Sequence, residues 1–556
     1  MTRLLSAAIA AAIAHTVVSA QPTVRFTDIT REAGIDFHHV NGASPDKHLV
    51  ETMGSGGLFF DFDNNGWLDV FLVDGGSLAD PTIARRARHR LYRNRGDATF
   101  DDVTGRSGIV QGDFGMGACA GDVDNDGWID LYVTSFGPNA LYRNRGDGTF
   151  VDVTRASGVG TPVWSAGCAF ADLDRDGDID LFVANYVDAD RTRSPFCGNA
   201  KRGIRVYCHP LNFNALPGTL YRNDGRGTFT DVSDKAGVAA HRGRGLGVVV
   251  TDYDADGWPD VLVANDSVPN FLFRNSGDGR FVETALGAGV AVATDGQARA
   301  GMGIDAADYD GDGRPDVIIT NLDFEMHSLF RGLRDGLFAH ATVESGVGPA
   351  TLPFVGFGAA FFDADHDGQL DLAIANGHIM DNAPQYRSGA VYAQRKLLFR
   401  NSGARRFVEI GRSAGPGFAL EKVGRGLAAG DIDNDGDLDL LVTNNGQSAD
   451  LLRNDGGGAN ALVVRAVTRT NRDAVGARIR VVTGGKAQVR DIRAGSSYLS
   501  QNDLRQHFGL GGAASVDRIE VTWPTGKLET VAGVAANQIV TIQEGRGVIR
   551  RTAFVR

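Results

Sequence analysis

After its first twenty residues the chain has no apolar run long enough to cross a membrane as a helix. It also lacks a cationic excess. Its 56 Lys and Arg against 68 Asp and Glu leave a formal charge of −12, which argues against a nucleic-acid partner. Cysteine is scarce: four residues, none at a metal-ligand spacing such as C-x-x-C. No H-E-x-x-H, G-x-S-x-G, P-loop or helix-opening G-x-G-x-x-G occurs, so no motif with a known catalytic mechanism is present. Glycine, by contrast, is plentiful, with 74 residues spread along the whole length. Many tight turns follow, as in all-β repeats. An apolar fraction of 42% suffices for a sizeable core.

The N-terminus reads as a secretory signal over residues 1–20. Arg3 gives a positive start, an apolar run follows to about residue 18, and Val18-Ser19-Ala20 fits a small-residue cleavage site before Gln21. The run is short for a membrane anchor, and no cysteine follows the site to carry a lipid. A secreted or periplasmic location is expected, and export permits disulfides. Cys197 and Cys208, in one polar insertion, are the expected pair. Cys119 and Cys168 lie in apolar, small-residue runs and read as buried small hydrophobes.

One nine-residue pattern, D-x-D-x-[DN]-G-x-x-D, occurs seven times, with starts 50 to 80 residues apart. The first copy offers Asp61, Asp63, Asn65 and Asp69, and the second Asp122, Asp124, Asp126 and Asp130. The third offers Asp172, Asp174, Asp176 and Asp180, and the fourth Asp252, Asp254, Asp256 and Asp260. Then come Asp308, Asp310, Asp312 and Asp316; Asp363, Asp365, Asp367 and Asp371; and Asp431, Asp433, Asp435 and Asp439. Oxygen-only ligands at alternating positions of a tight turn suit a hard cation, and calcium takes six to eight oxygens with irregular geometry. Asn65 keeps the oxygen and loses one charge. An EF-hand would need Glu at position 12 and a following helix. Here that position holds Leu72, Val133, Val183, Val263, Ile319, Ile374 and Val442, which suit a strand. Removal of Arg3 with the leader leaves −13, and seven divalent ions would bring the chain to about +1. Up to seven Ca2+ ions are expected, in a mainly structural role.

Each loop sits between two short apolar runs and is followed by a hairpin phrase, such as L-Y-R-N-R-G-D-G-T-F-V-D-V-T from Leu141; the copies at Leu272, Leu329 and Leu398 are degraded. A unit therefore has four strands, and seven such units predict a propeller over residues 21–458. The last unit stops at residue 456 without its fourth strand, while F-T-D-I-T from Phe26 stands spare at the other end. The two complement each other and would close the ring, leaving no exposed edge. After residue 458 the loops stop. Residues 459–546 read as a separate small β domain, with 547–556 as a tail.

The aspartate repeats resemble FG-GAP/VCBS repeats, as found in the propeller of integrin α chains, where the same loop binds calcium. The stretches V-G-A-R-I-R-V, G-S-S-Y-L-S-Q from Gly495, H-F-G-L-G from His507 and V-T-W-P-T-G from Val521 resemble the ASPIC/UnbV domain. In this order the two resemble the cartilage acidic protein family and its bacterial members. The resemblance implies an all-β fold, a seven-bladed propeller of integrin-α type with a small C-terminal β domain. It implies no settled molecular activity.

Two function classes follow. The first is a calcium-stabilised binding or adhesion module for an extracellular protein or glycan, with no nucleic acid and no membrane span. The second is an extracellular enzyme acting on polysaccharide, with a site on the propeller axis. His38, His39, His48 and Glu51 before the first loop, and His209, His378 and Asp381 in insertions, are the groups such a site could gather. Ordinary loop hydrogen bonding is the plainer reading of them, and a structural role that of His507.

Overall fold

The computed structural model describes residues 24–110, 112–385, 389–456 and 458–555. The expected signal peptide therefore lies outside the described residues. Among them, seven four-stranded antiparallel sheets each carry one aspartate loop. In the second sheet the order is Phe114–Gly121, Asp130–Phe136, Ala140–Asn144, Phe150–Asp152. The apolar runs flanking each loop become the first two strands, and the glycine turn joins the last two.

The first strands lie innermost. Each touches the first strand of the next sheet, and Gly424–Gly430 of the seventh touches Gly57–Phe60 of the first, so the ring closes. Phe26–Asp28 is the fourth strand of the seventh sheet: Phe26 pairs with Asn454, Thr27 with Arg453 and Asp28 with Leu452. The spare N-terminal strand thus completes the last blade, and no sheet edge is left open at the seam.

The C-terminal region forms two further four-stranded sheets. Asn460–Val467 pairs in parallel with Gln538–Gln543, and Arg478–Thr483 lies between Lys486–Asp491 and Ser515–Thr522. Two expectations need correction. Residues 547–556 are not a loose tail, because Gly547–Ala553 is the outer strand beside Gln538–Gln543. Its exposed Arg550 and Arg551 hide the alternation that marks a strand. Nor is the domain separate in its packing. Leu462, Ile479, Phe508, Val521 and Trp523 share one apolar cluster with Leu131, Phe170 and Leu181 of the blades.

That domain also reaches into the ring. Residues 494–503 run along the propeller axis, bonded to the inner strands of six blades. Ala494 O accepts from Phe170 N at 2.8 Å, and Ser497 exchanges bonds with Ile304 at 2.9 and 2.6 Å. Gln501 Oε1 accepts from Ala120 N at 2.9 Å, Ser497 Oγ from Ala359 N at 3.1 Å, and Asn502 Oδ1 from Ala429 N at 2.9 Å. Leu499 O accepts from Ala118 N at 3.3 Å, and Phe59 N donates to Gln501 O at 3.4 Å. The fit needs glycine. A Cβ on Gly56 would stand 2.2 Å from Leu499 O, and one on Gly117 would stand 2.7 Å from Leu499 Cβ. Tyr498 and Leu499 then pack with Met53, Met116, Trp164, Leu246, Met302 and Phe357, filling the axis from the other side.

Arg425 is fully buried in this axial region. Its guanidinium donates to the carbonyls of Thr52 at 2.8 Å, Gly377 at 3.1 Å and Gly424 at 2.8 Å, and lies 3.8 Å from the Phe357 ring centroid. Burial lowers its pKa to about 10. The axial pocket that the enzyme reading called for is thus occupied by the chain itself.

Both cysteine pairs are bonded. Cys197–Cys208 forms as expected, with Cα atoms 5.2 Å apart. Cys119 and Cys168 are buried as expected, yet they are not free, since they join the inner strands of blades two and three with Cα atoms 6.0 Å apart. They sit three and four residues before Asp122 and Asp172. Strand side chains alternate, so this one-residue offset turns them to opposite faces of successive blades, towards one another.

Candidate metal centre

The seven loops share one backbone design. The first aspartate accepts the amide of the sixth-position glycine in every copy: Asp61 from Gly66 at 2.9 Å, Asp122 from Gly127 at 2.8 Å, and likewise to Asp431 from Gly436 at 3.1 Å. That glycine has φ between 86° and 100° throughout, as the sequence suggested. The fourth position is left-handed too, at Asn64, Asn125, Arg175, Ala255, Gly311, His366 and Asn434. Gly311, Asn64, Asn125 and Asn434 suit this conformation, whereas Arg175, Ala255 and His366 give no sign of it in the sequence. The fifth-position side chain accepts the amide two residues on. Asn65 does so from Trp67 at 2.7 Å just as Asp126 does from Trp128 at 2.9 Å, so the amide preserves the turn.

The ninth-position aspartate is a hub. Asp130 Oδ2 accepts from Val123 N at 2.9 Å, and its Oδ1 from Asn144 N at 2.8 Å. The same pair of bonds recurs in all seven copies. Its oxygens orient the loop and keep second lone pairs free.

The asparagine that closes this bond was not singled out in the sequence, although every L-Y-R-N phrase contains it. Asn144 Nδ2 donates to Ile129 O of its own loop at 3.1 Å and to Phe62 O of the preceding blade at 2.8 Å. Asn94, Asn223, Asn275 and Asn401 do the same, Asn454 makes the inter-blade bond to Ala364 O at 3.1 Å, and Asn94 reaches Ile432 O across the ring closure. In the fifth blade Gly332 takes this place.

The acids converge. Asp61, Asp63 and Asp69 bring ligand oxygens within 4.8 Å of one another, as do Asp122, Asp124 and Asp130 and five further groups. Burial, first, and neighbouring carboxylates push their protonation upwards: to about 6 for Asp61, Asp122, Asp172, Asp252 and Asp308, about 8 for Asp180 and Asp260, and about 9 for Asp316. Asp172, Asp363 and Asp431 each hold a buried Oδ1 without a hydrogen-bond partner. Orphaned, mutually repelling carboxylate oxygens at this spacing fit a hard divalent cation, which would supply the missing positive charge.

His366, within the sixth loop, meets Asp437 of the seventh at 3.0 Å, whereas the histidines ahead of the first loop and in the insertions do not assemble with the loop acids. His39 is buried, which lowers its pKa to about 3, and its Nδ1 accepts from Gly446 N at 3.1 Å. Glu51 takes Ser44 Oγ at 2.6 Å and Tyr207 Oη at 3.1 Å. His209 and His378 accept from backbone amides in their own loops, and Asp381 pairs with Lys47 at 2.5 Å. His507 Nε2 lies 2.8 Å from Gly436 O of the seventh loop, which joins the C-terminal domain to the propeller.

Fold and site define a repeat propeller with an aspartate loop in every blade and an appended β domain. The family of FG-GAP-like repeats matches five overlapping segments from residue 61 to 183 and from 212 to 374, and the ASPIC and UnbV family matches residues 467–549. The chain belongs to the FG-GAP-like repeat family and carries a C-terminal ASPIC and UnbV domain. Human cartilage acidic protein 1 is 31% identical over 370 residues, covering 63% of this chain and 53% of its own length. The mouse protein of that name is 32% identical over 321 residues, covering 56% and 47%. The chain thus spans about half the length of the curated relatives it matches. Among solved structures, an Agrocybe aegerita lectin recognising non-reducing terminal N-acetylglucosamine aligns with a TM-score of 0.38 and 13% identity, over 72% of this chain and 94% of the lectin. YCF48 bound to D1 peptide aligns with a TM-score of 0.39 and 9% identity, over 72% and 92%. No functional reading rests on scores this low.

Proposed function

We propose that this protein is an exported, calcium-stabilised β-propeller that serves as a binding module for a protein or glycan. The observation that carries the calcium assignment is the sevenfold recurrence of one loop with clustered, buried carboxylates, some of whose oxygens lack any partner. The metal would be held by the loop aspartates and Asn65, and would contribute charge neutralisation and loop rigidity. Two disulfides, with no helix among the described residues long and apolar enough to cross a membrane, support export.

The binding surface is assigned to the face away from the loops. The C-terminal domain covers the aspartate face, while the long connections between second and third strands emerge opposite. Four strongly exposed apolar side chains, Phe196, Leu211, Phe324 and Val391, lie on those connections. Phe324 is held at a φ of 67°, a conformation costly for a bulky residue and retained where surroundings enforce it. A cavity of about 400 Å³ beside it is lined by Phe324, Phe354, Val391, Arg395, Arg412 and Glu421. Apolar walls with a few charged groups suit a ligand needing both contacts and orientation.

Calcium counting on the purified full chain by equilibrium dialysis tests the first part, with up to seven ions expected. A glycan array with a parallel hydrolase and lyase screen tests the second. Turnover of a polysaccharide without saturable binding to this face would replace the module with an enzyme.

A further inference from the structure

The loops alone do not balance their own charge. Loops two, four, five and six carry four aspartates each, loops three and seven carry five through Asp178 and Asp437, and a divalent ion cancels two of those charges. The third-position aspartate meets a hairpin arginine in five loops: Arg93 with Asp63, Arg143 with Asp124, Arg222 with Asp174, Arg274 with Asp254 and Arg405 with Asp310, at 2.5 to 3.8 Å. With the ion and that arginine counted, the first loop is neutral, the second, fourth and fifth keep about one negative charge, and the third, sixth and seventh keep more.

The docked C-terminal domain faces that remainder. Arg465 Nη1 lies 4.0 Å from Asp61 Oδ2. Arg472 donates to Gly177 O of the third loop at 2.9 Å. Arg478 donates to Gly313 O of the fifth loop at 2.5 Å and lies 3.7 Å from Asp491 of its own domain. Arg505 donates to Asp431 O of the seventh loop at 2.8 Å and pairs with Asp503 of its own domain at 2.7 Å. Arg490, half-buried, lines one cavity of about 90 Å³ with Asp308 and Asp363. Its own hydrogen bonds go to the neutral oxygens of Val489 at 2.9 Å and Gln488 at 3.3 Å, and its guanidinium lies 5.4 Å from the Phe508 ring centroid. Five arginines of one domain thus reach the first, third, fifth, sixth and seventh loops.

We propose that Arg465, Arg472, Arg478, Arg490 and Arg505 set the affinity of the propeller for divalent cations, because the C-terminal domain and the ion share the charge of the first aspartate. This rests on the calcium reading of the loops. The arginines hold each site weaker than the bare loop would be, since a fixed positive charge near a divalent ion repels it in the low dielectric of an interface. In the first loop Asn65 has already removed the residual charge, and Arg465 makes it the weakest of the seven.

Isothermal titration of calcium chloride into the chelator-stripped full chain tests this. Arg490→Gln should tighten two ions, those of loops five and six, by about tenfold while the others keep their affinity. Arg490→Lys, which keeps the charge, should bind like the unaltered chain. Arg478→Gln, at a partly exposed side chain, should tighten the ion of the fifth loop and serves the same comparison if Arg490→Gln fails to fold. Unchanged or weakened binding in the glutamine variants, with the unaltered chain still taking calcium, overturns the proposal. Absence of any calcium binding by the unaltered chain overturns instead the reading of the loops.

Discussion

Asn144→Ala is the substitution by which the inter-blade network is best judged. The residue is buried, and its side chain makes three bonds: to Phe62 O, to Ile129 O and from Gly146 N at 2.9 Å. Alanine leaves two buried carbonyls and one amide without that partner. A buried group stripped of its partner costs about 1–3 kcal/mol, and the amide at the turn edge regains water, so a total of about 3–4 kcal/mol is expected. Unfolding entropy for a chain of this length is roughly 1.1 kcal/mol per kelvin, which converts the loss to a fall of about 3 °C in calcium. Differential scanning calorimetry of both proteins in calcium reads it. Asn401→Ala, which removes the bonds to Tyr309 O and Leu370 O, should behave alike. In the fifth blade the reverse change should not help. A Cβ on Gly332 would stand 2.4 Å from Pro315 O, so Gly332→Asn is expected to destabilise. An Asn144→Ala protein that melts within 0.5 °C of its parent would refute the idea that these asparagines bind the blades together.

Other outcomes follow from the same structure. Burial holds the first aspartates of the metal-free protein above their usual range, at about 6 for Asp61, Asp122, Asp172, Asp252 and Asp308, so the folded state binds more protons than the unfolded chain. Their effect on metal-free stability is therefore favourable at low pH and lost as pH rises through about 6. The melting difference between calcium and chelator should accordingly be large at pH 8 and shrink towards pH 5; a difference independent of pH would contradict it. Replacing Cys119 and Cys168 with serine opens a crosslink between positions 49 apart, and loop entropy alone puts the loss at about 4 kcal/mol, measured as an earlier denaturant midpoint. Gly117→Val places a side chain where Leu499 lies, and should expose residues 494–503 to hydrogen exchange. Unchanged protection there would argue against an axial plug.

Much of this was legible in the sequence because a repeat states its own rule several times. Val133, Val183 and their equivalents identified strand-to-strand loops, and Phe26 with the truncated last unit foretold the closing strand. What stayed hidden depends on tertiary placement. G-S-S-Y-L-S-Q has no strand or helix period, and only the surrounding glycines, Gly56 and Gly117, leave room for it on the axis. The Cys119–Cys168 bond was visible in principle, through the one-residue offset of the two cysteines against their loops. The linking asparagine repeats as faithfully as the aspartates, but beside a hairpin glycine it reads as turn chemistry. The arginines of the C-terminal domain have no pattern, since their common property is the face they meet.

The central claim is that the seven aspartate loops hold calcium and that calcium holds the fold. Calorimetric melting of the full chain at pH 8, in millimolar calcium and again in excess EDTA, tests it most directly. An ion at a hundred times its dissociation constant adds about 2.7 kcal/mol, so several occupied loops should raise the transition by more than about 10 °C. Superimposable melting curves would contradict the account.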